Sequence, residues 1–458
     1  MKHKSKVYLL GITLALTQFT LLPTTYWKWQ NINIGTIQFP ASFEWGVTTL
    51  AYEVEGYAKT STWYAWENHV KYDGTPFTTT RSGKGTGHTQ NYKEDVQLMK
   101  KMGITTYCFS LDWSRIEPEQ GRFDETVLQH YADLCDELIK NNIAITAILK
   151  DYCDPLWWGY LGGFEYEKNL YLFERYCLKM HEILGTKVDR WITFWAPENY
   201  AVLGYLIGNT PPGVRSLHRA ATVLKNEFEA HVRVYKAIKA APHGNTSRIG
   251  IIKHMHILEP WHFWDRASCY VANMLTNDSF YTFFTTGTFN IKIPLPGKVG
   301  AWVQHANAFA AKSLDFIGIN YYSHGYVKNI VNHVSNPSEI PTDVTGMTVY
   351  PEGLYFAIKE VSEKVAKKLN IPMIITQNGI ATRDESIRDL FIKRHLYSLH
   401  KAKTEGHDVE GYYYYSFLDG FSWGSYDTQF GLFAVDRETL QRTQKTGAQY
   451  YCDVMKRR

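Results

Sequence analysis

The chain has 458 residues, 45% of them hydrophobic and 15% aromatic, with a formal net charge of +4. That is ample for one large buried core, and the even charge balance, with no Lys/Arg clustering in the body, excludes a nucleic-acid partner. Fourteen Trp and 32 Tyr suit an aromatic sugar cleft and ordinary core filling equally well.

At the N-terminus Lys2, His3, Lys4 and Lys6 precede an apolar run over 7–23. A positive segment followed by an apolar one is the pattern of a signal peptide. The run falls short of the ~20 residues of a spanning helix. Thr24, Thr25, Tyr26 and Trp27 make a poor cleavage site, so an uncleaved membrane anchor is the alternative to a signal peptide. Residues 1–30 are therefore expected to be a leader or anchor with its linker, and the rest to lie secreted or extracytoplasmic. A buried N-terminal helix of the fold is the other reading.

The body, 38–456, alternates strand-like and helix-like runs. Strands are expected at 43–47, 104–111, 143–149, 190–194, 249–253, 316–319, 373–376 and 411–416. Helices are expected at 126–140, 169–184, 217–240, 351–369 and 386–405. Eight strands alternating with helices predict a single parallel (β/α)8 TIM barrel with no interdomain linker. The cysteines, Cys108, Cys135, Cys153, Cys177, Cys269 and Cys452, show no zinc spacing, and in a chain this long they read as small buried hydrophobes. Export would permit a disulfide, whose pairing spacing does not reveal. His254 and His256 lie two apart without a third ligand, so no metal site and no cofactor are expected. Trp157-Trp158 and Trp261-His262-Phe263-Trp264 suit a stacking platform or packing between barrel and loops.

The apolar run 373–375 ends in Thr376-Gln377-Asn378-Gly379. A buried strand that ends in polar residues delivers them to a site, and in a parallel barrel that site lies at the strands' C-terminal ends. This stretch resembles the Ile-Thr-Glu-Asn-Gly motif of family 1 glycoside hydrolases, the β-glucosidase family. Asn91-Tyr92-Lys93-Glu94-Asp95, Trp113-Ser114-Arg115, Pro211-Pro212-Gly213, 315–322, Pro351-Glu352-Gly353-Leu354 and Phe430-Gly431-Leu432 carry the resemblance along most of the body. It implies a barrel with a sugar pocket at its C-terminal mouth.

The resemblance also implies two catalytic carboxyls, about 5–5.5 Å apart in a retaining enzyme. The nucleophile's position holds Gln377. The Thr-Phe/Leu-Asn-Glu-Pro motif of strand four reads Thr193-Phe194-Trp195-Ala196-Pro197, so Ala196 takes the acid/base position and Glu198 follows two residues later. The Arg expected beside the nucleophile is Cys108. A sugar-holding Gln is Glu53, a His is Asp151, a Trp is Tyr415 and a Glu is Ser422, while Asn320, Tyr322 and Trp423 are retained. A buried Arg beside a neutral Gln would be an unpaired charge, so the two losses are physically consistent.

The expected lining is thus Glu53, Asp151, Trp195, Asn320, Tyr322, Gln377, Tyr415, Ser422 and Trp423. Glu53 and Asp151 predict an acidic pocket suited to a cationic or amino-bearing ligand, against the reading that solvent or Lys150 neutralises them. Two functions follow. One is a pseudo-glycosidase that binds a glycan, glycolipid or protein without cleaving it. The other is an active hydrolase or transglycosidase in which Glu198, Asp151 or Glu53 stands in for the lost pair.

Overall fold

Eight β-rich runs, buried along nearly their whole length, close on one another in parallel. They are β1 (Glu44–Thr49), β2 (Thr106–Ser110), β3 (Ala144–Lys150), β4 (Arg190–Trp195), β5 (Arg248–His254), β6 (Phe316–Asn320), β7 (Met373–Asn378) and β8 (Val409–Tyr415). β8 pairs with β1, and the sheet forms a closed barrel. The computed structural model describes residues 25–457, apart from 72, 79, 296, 298–299, 329–331, 335, 337–338 and 343–345. The apolar run 7–23 lies outside the described residues. Among the described residues no helix is long and apolar enough to cross a membrane.

The (β/α)8 expectation holds strand for strand. The helices start where short polar side chains cap them: Asp124 accepts from the backbone N–H groups of Thr126 and Val127 before Glu125–Lys140, and Asp384 from those of Ser386 and Ile387 before Glu385–Thr404. The helix expected over 351–369 is interrupted. It runs Glu352–Val361, widens to a π turn at Ser362–Ala366 and resumes at Lys367–Leu369.

Two apolar layers result. One lies between strands and outer helices; the other fills the barrel with Ile148, Ile192, Ile252, Phe316, Ile374 and Tyr413 among others. Glycine makes room for the largest of these, since a Cβ at Gly46 would stand 2.3 Å from the Tyr413 ring. The N-terminal end of the barrel is closed by charge. Arg190 pairs with Glu44, Arg248 reaches Glu410 at 3.0 Å, and the Tyr413 hydroxyl donates to Glu44 at 2.8 Å.

Before the barrel the chain forms a strap along two outer helices. Glu352 Oε1 accepts from the backbone N–H of Trp27 at 2.7 Å and from Trp29 Nε1 at 2.9 Å. Trp27 and Trp29 pack edge-on against Tyr397 of the helix Glu385–Thr404.

Candidate functional site

The mouth of the barrel is built where β4 and β7 end, and both strands slip register there. β4 shifts against β5 between Ile192 and Trp195, and β7 shifts against β6 between Ile375 and Gln377. Such irregularities re-aim a side chain at a strand end. They bring Trp195 and Gln377 together.

Gln377 is fully buried, and three donors converge on its Oε1. Trp195 Nε1 lies at 2.8 Å, Asn320 Nδ2 at 2.9 Å and the Tyr322 hydroxyl at 2.8 Å. Chemistry fixes the amide's orientation. An indole nitrogen is donor only, and Asn320 is turned by the Thr376 hydroxyl, which donates to its Oδ1 at 2.8 Å. The oxygen of Gln377 therefore faces the cradle, and its Nε2 meets no hydrogen-bond partner.

The acidic pair sits across the same ring of aromatics. Glu53 accepts from the hydroxyls of Tyr415 at 2.5 Å, Tyr152 at 3.2 Å and Ser422 at 3.2 Å. Burial pushes its carboxyl up to about 8; the three hydroxyls oppose that shift and the nearby Asp151 adds to it. Asp151 accepts from Ser110 Oγ and from the backbone N–H of Cys153, each at 2.7 Å. Burial raises Asp151 to about 6, against the pull of Lys150.

Neither carboxylate is solvated, and the Lys150 ammonium reaches Asp154 Oδ1 at 3.2 Å and the backbone carbonyl of Asp151. The reading that solvent or pairing with Lys150 neutralises both therefore fails for Glu53, whose side-chain donors are the hydroxyls of Tyr415, Tyr152 and Ser422. Cys108 is buried on β2, and burial pushes its thiol up to about 12, so it is neutral, as the loss of charge at Gln377 requires.

Tyr152 escaped the sequence reading, although it follows Asp151 directly. It bridges the site: its hydroxyl reaches Glu53, its ring stacks on Trp423 at 5.1 Å and 24°, and it meets Trp195 edge-on at 5.7 Å. Trp63 closes the same cluster, 6.3 Å from Trp423. Every expected lining residue is buried except Trp423, which is 37% exposed.

Glu198 is elsewhere. Its carboxylate pairs with Lys253 Nζ at 2.8 Å and accepts from the backbone N–H of His254 at 2.6 Å. Lys253 alternates with inward-facing Ile252 on β5, so the pair lies in the layer behind the barrel wall. The structure thus places Glu198 with Lys253 and not among the residues around Gln377 and Glu53. Ala196 is fully buried in a left-handed turn (φ 47°) that starts the helix Pro197–Ala201.

His254 and His256 bind the side chain of Asn199, at 3.2 and 2.8 Å. Trp158 is core packing, whereas Phe263 and Trp264 are exposed. All six cysteines are free and buried.

A closed (β/α)8 barrel whose mouth gathers aromatic rings, an amide and buried carboxyls is the frame of a glycosidase-type protein. The profile of glycosyl hydrolase family 1 matches residues 35–458, and the chain belongs to that family. It is 29% identical to a 6-phospho-β-galactosidase of Clostridium acetobutylicum over 90% of this chain and 96% of that protein. It is 27% identical to β-glucosidase A of Thermotoga maritima over 92% and 98%. A β-glycosidase structure from Pyrococcus horikoshii superposes with a TM-score of 0.80 at 32% identity, covering 91% of this chain and 95% of that one. The T. maritima β-glucosidase bound to deoxynojirimycin superposes at 0.79 and 26% identity, covering 92% and 99%.

Proposed function

We propose that this chain is a non-hydrolysing family 1 protein that binds carbohydrate or a glycoconjugate. The observation that carries it is the cradle at Gln377. At the nucleophile's position three donors hold an uncharged amide oxygen, which has no anionic lone pair to offer an anomeric carbon. Ala196 holds no proton to give a leaving group. Burial of every expected lining residue except Trp423 supports the same reading, because little of that lining faces solvent. Export through the N-terminal leader belongs to this reading.

A second reading has one observation in its favour. Glu53, pushed up to about 8, keeps its proton near neutrality, as a general acid does, while Asp151 at about 6 gives its proton up. The test is release of 4-nitrophenol from aryl β-glucosides and β-galactosides at high protein concentration. The expected result is no release above buffer. Turnover abolished by Glu53→Gln would overturn the non-hydrolysing reading.

A further inference from the structure

The aromatic run Trp261-His262-Phe263-Trp264 takes no part in the mouth. It follows the short strand Ile257–Pro260, which pairs in parallel with His324–Lys328. It then turns into the helix Arg266–Asn273, and Asp265 Oδ2 fixes the turn by accepting from the backbone N–H of His262 at 3.1 Å. The fixed turn holds Phe263 74% and Trp264 69% exposed. Large rings held side by side in solvent mark an interaction surface.

Cations flank these rings. The Arg266 guanidinium lies 4.7 Å from the centre of the Phe263 ring, and the Lys328 ammonium 5.2 Å from that of Trp261. The acidic side chains nearby are engaged inward. Asp265 is buried under the turn, and Glu259 and Glu339 both meet the buried imidazole of His324, at 3.3 and 2.7 Å. Exposed Trp and Phe beside Arg and Lys is the composition of a bilayer interface. There the rings sit at headgroup level and the cations meet lipid phosphate.

The start of the strap points to the same partner. The apolar run 7–23 ends two positions before Thr25 in sequence. Thr25 is held by Tyr350, whose hydroxyl donates to its carbonyl at 3.1 Å. Asn336 Nδ2 donates to the Tyr26 hydroxyl at 2.9 Å and reaches the Tyr326 hydroxyl at 3.5 Å. Tyr326 packs edge-on against Trp261 at 5.5 Å, and His262 lies 4.5 Å from Trp264. A line of side chains thus joins the strap's first residues to the exposed turn, so one surface can meet both.

The run 7–23 falls short of the ~20 residues of a span, and stable attachment to a membrane takes two weak signals together. We infer that the turn 261–266 docks on a bilayer containing anionic lipid, in the membrane that takes up the run 7–23. Phe263 and Trp264 enter at headgroup level, and Arg266 and Lys328 meet lipid phosphates. The inference is independent of what the barrel mouth binds.

The experiment attaches an environment-sensitive bimane to Ala267→Cys, exposed beside Arg266, or to Lys140→Cys. Lys140 precedes β3 and so lies at the opposite end of the barrel from a turn that follows β5. The six native cysteines are buried and stay unlabelled. The full chain, made by cell-free synthesis, is added to vesicles of phosphatidylcholine with or without phosphatidylglycerol, each carrying a headgroup nitroxide as quencher. On the anionic vesicles the emission at 267 should shift to the blue and fall at least about twofold, with a smaller fall on phosphatidylcholine alone. Emission at 140 should stay unchanged. The paired change Phe263→Ala and Trp264→Ala, at side chains too exposed to hold the fold, should restore most of the emission at 267.

Equal responses at 267 and 140, or none at 267, overturn the docking. So does a blue shift at 267 that needs no vesicles and grows with protein concentration, because a second copy would then cover the rings. Equal quenching in both lipids overturns the assignment of Arg266 and Lys328 to lipid phosphate.

Discussion

Glu53 is a carboxyl whose surroundings favour its neutral form. In the folded protein it holds its proton up to about pH 8, against a usual value of 4.5. The folded state therefore binds that proton more tightly than the unfolded chain. Stability is highest below the unfolded value and falls as pH rises toward the folded one, each unit costing up to about 1.4 kcal/mol. The groups facing Glu53 are Tyr152, Tyr415 and Ser422, with Asp151 adding its own charge above about 6. Melting temperatures of wild type and Glu53→Gln should thus diverge: the variant gains on the wild type between pH 5 and pH 9. An identical offset at both pH values would contradict the burial argument.

The Glu198–Lys253 pair differs in having an ionic partner: burial raises Glu198 and lowers Lys253, and their contact at 2.8 Å opposes both shifts. Glu198→Ala removes the carboxylate that meets the buried Lys253 ammonium, leaving it the His254 carbonyl, and should cost about 3–5 kcal/mol. The double change to Glu198→Gln and Lys253→Met should recover most of that loss in urea denaturation. These two carboxyls looked interchangeable in sequence, since both follow a strand end within a family-like motif. Only the side of the wall on which each lies separates them, and a bulge at β4 makes that side unreadable from spacing.

At the scale of elements, the eight barrel strands were legible because both faces of each are buried. A run of apolar residues bounded by turns then needs no alternation to announce itself. The register slips in β4 and β7 were not, since a one-residue irregularity leaves an apolar run apolar while turning its last side chains. Tyr152 was missed for a related reason. A tyrosine beside a strand end reads as core or site alike until a partner such as Glu53 is known.

The strap at 25–37 also has no periodic signal, yet its Trp residues anchor it through one carboxylate. Glu352 takes two donors from it, at 2.7 and 2.9 Å. Glu352→Ala should free the strap while the barrel, with its own core, keeps its fold. Limited proteolysis should then cut within 25–37 far sooner than in wild type. The melting temperature should fall only by the few degrees that one charged hydrogen-bond pair is worth. Unchanged cleavage would mean that the rings packed on Tyr397, with Tyr26 on Glu339 and Thr25 on Tyr350, hold the strap without Glu352.

For the whole molecule, frame and site respond to separate physical demands. The frame depends on apolar layers between sheet and helices, and these do not touch the mouth. Chemistry at the mouth depends on two carboxyls, and on the groups around them. On the reading proposed above, restoring the carboxyls does not restore those groups. Gln377→Glu should be well tolerated at neutral pH, because the donors from Trp195, Asn320 and Tyr322 that now hold an amide oxygen would hold a carboxylate more strongly.

Ala196→Glu should be costly, because it puts a carboxylate into a fully buried, apolar cluster. The double variant is therefore expected to melt below the single Gln377→Glu variant. It should still release no 4-nitrophenol from 4-nitrophenyl β-D-glucoside, because Cys108, Glu53 and Asp151 remain and Glu53 stays tied to the hydroxyls of Tyr152 and Tyr415. If those two changes alone produced steady turnover, the two lost carboxyls would be all that separates this mouth from a working one, and the other replacements around Glu53 would not matter to the chemistry.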